Sequence, residues 1–420
     1  MSTAPVRAAS WWYCGQSVLA AFDAVVAVEP GWVLADVVER AEVRDGDELG
    51  DPEHAAHASR TATTAAGRRP AANVPPRPPG AALARDDRID RPAFHGREPP
   101  SGRPCRSRRA RIAGVAATGA LDLARVPVRG GDLVVARWAG GAPVVLALHG
   151  GASSHRAWAV IARALAGEVT VLAPDLRGAA ASTELPGPYG MTQHATDLRA
   201  VLDHFGVERA VVAGWSLGGF VAATFAARVP ERAAGLVLVD GGLPLPLPPG
   251  FDPTTAVDEL FEPLRQRFAT TFRSRDEHRA WWRDHAVFSR LGLWSDDIEA
   301  HVDGEVAEHD GALRFRLSLD AIEQDTLETL ADPSVREAGL AVTCPTVFVR
   351  AERGLMDEDV GYYPAGALDA WEDPPGRVIV EAPPEHNHYT LMLSEDGAAL
   401  VADAIRSVLR AQEADASHGR

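Results

Sequence analysis

The sequence predicts an α/β fold in which a mostly parallel sheet is covered by helices on both faces. From Leu121 onward, short apolar runs alternate with segments of helical periodicity. These runs consist almost entirely of Val, Leu and Ala, as is typical of parallel strands buried on both faces. The stretch Arg129-Gly130-Gly131 joins the first two strand-like segments and indicates a hairpin at the start of the sheet.

The elements follow one another in a regular order. Their continuous apolar character predicts strands in LARVPV, DLVVARWAG, APVVLALHG, EVTVLAPDLRG, ERAVVAGWS, AAGLVLVDGG, LAVTCPTVFVRA and GRVIVEA. Their periodicity predicts helices in SHRAWAVIARALAG, HATDLRAVLDHFG and LGGFVAATFAARVP, and an amphipathic helix around 397–412. A mostly helical block rich in aromatic residues separates the sixth strand from the seventh, and we expect it to cover the ends of the strands.

The chain divides into four segments on this basis. Residues 1–116 form a low-complexity extension rich in Ala, Arg and Pro, which we expect to be largely irregular and disordered. Its arginine cluster fits a solvated linker, a basic binding arm or an over-extended reading of the gene. Residues 117–242 and 341–420 form the two parts of the α/β core, and 243–340 form the helical cap.

Composition excludes several classes of protein. The net charge of −16 disfavours a nucleic-acid partner, because phosphate backbones attract basic surfaces. The three cysteines are far apart and predict neither a disulfide framework nor a metal site. No apolar run reaches the length of a membrane span, and no signal peptide is evident. We therefore expect a cytoplasmic protein that does not associate with membranes.

The motif Gly-Trp-Ser-Leu-Gly at 214–218 carries the strongest chemical signal. It lies between a predicted strand and a predicted helix, where a sharp turn leaves no room for side chains at the two glycines and lifts the serine clear of the sheet. We predict that Ser216 is a nucleophile. The competing interpretation is a glycine-rich turn whose serine only caps the following helix.

From Leu121 to Gln412 the chain resembles the α/β-hydrolase superfamily. The matching pieces, LALHGG, APDLRG, GWSLGG, LVLVDGG and NHYTLM, occur in the superfamily's order. The resemblance implies a serine hydrolase with an oxyanion hole formed by the backbone amides of Gly151 and Leu217. His149, before the glycine turn, is expected to anchor its loop.

The resemblance also implies a histidine base after the last strand and an acid between nucleophile and base. His388 is the preferred base and His386 the alternative. The superfamily's commonest acid position corresponds to a glycine here. We therefore predict Asp240, at the end of the sixth strand, as the acid, with Asp357 or Asp359 as alternatives and a weakened dyad as a further option.

The expected function is hydrolysis of a small-molecule ester or related carbonyl substrate through an acyl-enzyme, without a metal or organic cofactor. Alternatives with the same serine are a C–C bond hydrolase and a cofactor-free haloperoxidase-like enzyme. A hydrolase-like protein that binds a ligand without turnover is the alternative from a different class. The sequence leaves the oligomeric state open.

Overall fold

The computed structural model describes residues 121–247, 250–255, 257–368, 371 and 376–418. The predictions for residues 1–116 therefore lie outside the described residues.

Within the described residues, eight strands form the main sheet: β1 Leu121–Val128, β2 Gly131–Trp138, β3 Val144–Leu148, β4 Thr170–Pro174, β5 Ala210–Trp215, β6 Ala233–Val239, β10 Thr346–Arg350 and β11 Arg377–Glu381. Their order across the sheet is β1-β2-β4-β3-β5-β6-β10-β11. The pairs β1–β2 and β2–β4 are antiparallel, and all other neighbours are parallel. The predicted α/β fold with a mostly parallel sheet is confirmed, including its N-terminal hairpin.

Helices cover both faces of this sheet. Those of the core are α1 Ala159–Ala164, α2 Met191–His204, α3 Leu217–Arg228, α11 Thr390–Leu393 and α12 Glu395–His418, and 3-10 turns span His155–Trp158 and Ala180–Ser182. On β5, Val211 and Ala213 belong to the apolar cluster beneath α1 and α12. The alternate residues Ala210 and Val212 belong to the cluster beneath α2 and α3. Burial on both faces explains why this strand is apolar throughout.

We refer to the described residues between β6 and β10 as the cap, after the prediction made for this segment. Its helices are α4 Val257–Ala269, α5 Arg275–Arg283, α6 Ala286–Ser289, α7 Asp296–Gly304, α8 Leu319–Ala331, α9 Pro333–Arg336 and α10 Ala338–Ala341. It also contains β7 Thr271–Phe272, β8 Val306–His309 and β9 Ala312–Phe315, which pair antiparallel in the order β7-β9-β8. This small sheet was not predicted from the sequence.

Capping residues explain where several of these helices begin. The side chains of Ser274, Ser295 and Ser318 each accept a hydrogen bond from a backbone N–H in the first turn of α5, α7 and α8. Such caps satisfy amide groups that the helix itself leaves without a partner, and each stabilises the helix by about 1 kcal/mol.

A buried ion pair joins the cap to the core. His194 Nε2 on α2 lies 2.9 Å from Asp325 Oδ2 on α8. The other oxygen of Asp325 accepts the amide of Gly190 at 2.9 Å, and Glu328 accepts the amide of Met191 at 2.7 Å. The start of α2 therefore binds α8 through charged acceptors, which fixes the cap over the carboxyl ends of the strands.

Candidate active site

Ser216 lies at a sharp turn between β5 and α3. Its backbone is in the left-handed region (φ 55°, ψ −124°), which is rare for a residue with a side chain. A Cβ at Gly214 would lie 2.1 Å from the carbonyl oxygen of Gly218, and one at Gly218 would lie 2.4 Å from that of Leu148. Both positions therefore need glycine. The Ser216 side chain makes no capping hydrogen bond to α3, so the turn exposes this hydroxyl rather than using it as a cap.

His388 and Asp240 form a buried pair next to this turn. His388 Nδ1 lies 2.6 Å from Asp240 Oδ2, and both side chains are almost fully buried. Because an ionised carboxylate only accepts hydrogen bonds, the imidazole proton lies on Nδ1, and Nε2 remains as an acceptor. Asp240 directly follows β6, and its Oδ1 accepts the amide of Ala351 at 3.2 Å. The acid thus orients the imidazole while the backbone orients the acid.

Aromatic side chains fix the position of the imidazole. The indole nitrogen of Trp215 donates to the backbone carbonyl of His388 at 3.1 Å. The rings of Trp215, Tyr362 and Tyr389 lie 5.2, 5.0 and 5.8 Å from the His388 ring, between centroids. These contacts pack the imidazole on several sides and limit its rotation, while His388 still lines the cavity.

Two backbone amides point to an oxyanion site. Among the described residues, neither Gly151 nor Leu217 donates its N–H to another protein group. Leu217 is the first residue of α3, where helix geometry leaves amides without a partner. His149 fixes the loop before Gly151, because its Nε2 accepts the amide of Leu176 at 2.9 Å and its Nδ1 donates to the carbonyl of Gly150 at 2.7 Å. These contacts agree with the predicted anchoring role of His149.

The alternative acids do not reach the imidazole. Asp357 is buried, and its carboxylate accepts hydrogen bonds from Arg290, Arg353 and Asn387. Asp359 is 93% exposed and forms an ion pair with Arg353 at 3.0 Å. Neither residue lines the cavity described below.

The alternative base is also turned away from the site. His386 is buried but does not line the cavity, and burial lowers its pKa. The structure thus places Ser216, His388 and Asp240 around one cavity, whereas the alternative acids and the alternative base do not line it.

A cavity of about 190 Å³ lies between the core and the cap. Ser216, Asp240, His388, Gly151 and Leu217 all line it from the core side. The remaining lining is mostly apolar and includes Leu245, Leu264, Phe268, Phe315, Ile322 and Leu355. Its volume lies below the range of cavities that hold drug-sized ligands, and its apolar walls suit a small organic molecule.

Two charged residues in this cavity were missed by sequence reasoning. Arg267 on α4 and Glu305, between α7 and β8, line it from the cap. Burial raises the pKa of Glu305 to about 8, although Arg267 and the indole N–H of Trp282 oppose the shift. No sequence signal distinguished them from the solvated charges of the cap helices.

Comparison with known proteins decides the family. A model of the alpha/beta hydrolase fold matches residues 143–284. Lipase LipV of Mycobacterium tuberculosis is 31% identical over 228 residues, which cover 53% of this chain and 79% of that protein.

The chain belongs to the α/β-hydrolase superfamily.

Other relatives of this α/β-hydrolase match shorter segments. An uncharacterised protein of Mycobacterium tuberculosis is 36% identical over 106 residues, which cover 25% of this chain but only 31% of that protein. Among solved structures, E-2-(acetamidomethylene)succinate hydrolase aligns with 69% of this chain and 100% of its own, with a TM-score of 0.56 and 22% identity. At that identity the likeness supports the fold alone.

The described residues of this α/β-hydrolase lack two features. They contain no group of three or more His, Cys, Asp or Glu side chains arranged to hold a metal ion. None of their helices combines the length and apolar character needed to cross a membrane.

Proposed function

We propose that this hydrolase is a serine hydrolase of small esters or related carbonyl compounds and that it works through an acyl-enzyme. The observation that carries the proposal is the His388–Asp240 pair, buried beside the strained turn of Ser216 in a cavity that all three residues line. A strained residue at the mouth of a cavity, next to an oriented histidine, is an arrangement suited to nucleophilic catalysis. Relatives named lipase and esterase/perhydrolase agree with this chemistry.

The geometry supports the following sequence of steps. Ser216 Oγ attacks the substrate carbonyl carbon while His388 Nε2 accepts the hydroxyl proton. The amides of Gly151 and Leu217 stabilise the oxyanion, at about 3 kcal/mol for each donor. The imidazolium, stabilised by Asp240, then returns the proton to the leaving oxygen as the ester C–O bond breaks. Water attacks the acyl-serine by the same route and regenerates the hydroxyl.

The decisive experiment combines active-site labelling with ester turnover. A fluorophosphonate probe should modify Ser216, and p-nitrophenyl butyrate should be hydrolysed by the wild type. Ser216→Ala and His388→Ala should lose both labelling and turnover. Absence of labelling in the wild type, with turnover at the background rate, would overturn the proposal in favour of a ligand-binding protein.

The choice of acid is tested by a pair of matched variants. Asp240→Asn keeps the shape of the side chain but removes the carboxylate that holds His388, and should lower kcat by about 10⁴-fold. Asp359→Asn makes the same chemical change at an exposed position and should leave kcat unaltered. If instead Asp240→Asn stays fully active, Asp240 is not the acid.

A further inference from the structure

The cap contributes a cation to the cavity that Ser216 lines. Among the described residues that line the cavity, Arg267 is the only one with a permanent positive charge. Its neighbours in the lining include Leu264, Phe268 and Phe315. A charge in such surroundings has lost much of its hydration, so it requires a compensating partner.

Protein groups compensate Arg267 only in part. Its guanidinium carbon lies 5.6, 5.4 and 5.6 Å from the ring centroids of Phe268, Trp281 and Trp282, and a side-chain hydrogen bond joins it to Tyr389. Its Nε is buried without a hydrogen-bond partner. Within the described part of the chain, no carboxylate lies within 4.0 Å of it. The guanidinium therefore lies against three aromatic rings, and no carboxylate among the described residues balances its charge.

Glu305 does not neutralise this charge near neutral pH. Burial raises its pKa to about 8, so the protonated form predominates. Its Oε2 accepts the indole N–H of Trp282 at 2.8 Å, and the nearest imidazole nitrogens, of His278 and His301, lie 3.6 Å from its oxygens. Burial lowers the pKa of these histidines to about 4 and about 3, so they are neutral as well.

We propose that Arg267 binds a carboxylate of the substrate, so that the preferred substrates are short carbonyl compounds that carry a carboxylate at the end remote from the scissile bond. The inference rests on the proposed function. A planar guanidinium binds a carboxylate through two parallel charge-assisted hydrogen bonds. The cavity of about 190 Å³ restricts the class to short chains, with the carboxylate held by the cap and the carbonyl at Ser216.

The kinetic test compares two esters of similar length. Mono-p-nitrophenyl glutarate carries the carboxylate, and p-nitrophenyl valerate lacks it. We expect the wild type to prefer the glutarate in kcat/KM, and Arg267→Met to lower this preference about 30-fold or more. Arg267→Lys should restore part of it. Arg265→Met is the matched control, because Arg265 lies on the same helix but pairs with Glu323 at 2.7 Å, and it should keep the wild-type preference.

A binding measurement separates this inference from the proposed function. Calorimetry with the Ser216→Ala variant should detect binding of mono-p-nitrophenyl glutarate, and this binding should weaken as the salt concentration rises. The double variant that also carries Arg267→Met should not bind this ester. That result would support the inference even if no ester were hydrolysed. Two results would overturn the inference and leave the proposed function intact. In the first, both esters are hydrolysed and Arg267→Met does not change the preference for the glutarate ester. In the second, Ser216→Ala binds the two esters equally well.

Discussion

Replacement of Glu305 by Gln tests whether the cap buries a protonated acid. Gln has the shape of protonated Glu, and its carbonyl oxygen retains the hydrogen bond from Trp282 that Glu305 accepts at 2.8 Å. The variant is therefore expected to fold like the wild type. The two proteins should differ only where the carboxyl group would ionise.

The magnitude follows from the shifted pKa. Because the folded pKa of Glu305 lies above its unfolded value, the stability that this group contributes is fully present below pH 4.5 and is lost as the pH rises through about 8. At about 1.4 kcal/mol per pKa unit the full loss is about 5 kcal/mol. Most of it, about 3.5 kcal/mol, falls between about pH 5 and about pH 8. Glu305→Gln lacks this loss, so its free energy of unfolding should rise relative to the wild type by that amount.

Urea unfolding of both proteins across this pH range measures the difference between their free energies of unfolding. The titrations of all other groups are common to the two proteins and cancel in this difference. Glu308→Gln serves as the control, because it removes a carboxylate from an exposed position in the neighbouring strand β8. A difference between Glu305→Gln and the wild type that stays constant within about 0.5 kcal/mol would refute the reasoning. Glu305 would then be ionised in the folded protein, and the charge of Arg267 would already be balanced.

Three further predictions concern the supports of the site. Gly214→Ala sets a Cβ against the carbonyl of Gly218, at 2.1 Å, and should cost about 3 kcal/mol or more in urea unfolding; a smaller loss would mean that the turn relaxes. Burial lowers the pKa of His194, but the charge and hydrogen bond of Asp325 outweigh burial, and the pKa is raised. The stability that this pair contributes is present below pH 6.5 and is lost as the pH rises through the folded pKa of His194. Asp325→Asn should therefore lower the Tm more at pH 6 than at pH 9. An equal decrease of the Tm at both pH values would contradict the pairing. Trp215→Phe removes the indole N–H that holds the backbone of the proposed base at 3.1 Å and should lower kcat/KM for p-nitrophenyl butyrate about tenfold, whereas an unchanged value would show that the base is held by other contacts.

Local patterns predicted the core of this protein well. Apolar runs such as that of β5 indicate burial on both faces of the sheet. The two glycines around Ser216 indicate backbone contacts that are too close for a side chain. Asp240 was predicted from the resemblance to the α/β-hydrolase superfamily, in which some members carry their acid at the end of this strand. Asp240 and His388 are 148 positions apart in the chain, so no local sequence pattern could predict that their side chains are in contact.

The cap was predicted less completely. Its three-stranded sheet includes a strand of only two residues, β7, which is too short for a period to be recognised. The roles of Arg267 and Glu305 depend on which face of the cap turns toward the core. That choice is made by tertiary packing, and a charged residue in a helical segment is usually solvated.

Because the His388 imidazole pairs with Asp240 at the end of β6, the carboxylates in the loop after β10 make other contacts. Asp357 in that loop accepts hydrogen bonds from Arg290, which follows α6 of the cap, and from Asn387, the immediate neighbour of His388 in the chain. One carboxylate thus joins the residue after α6 to the residue next to His388. The position of that imidazole therefore depends on a side chain that does not itself line the cavity.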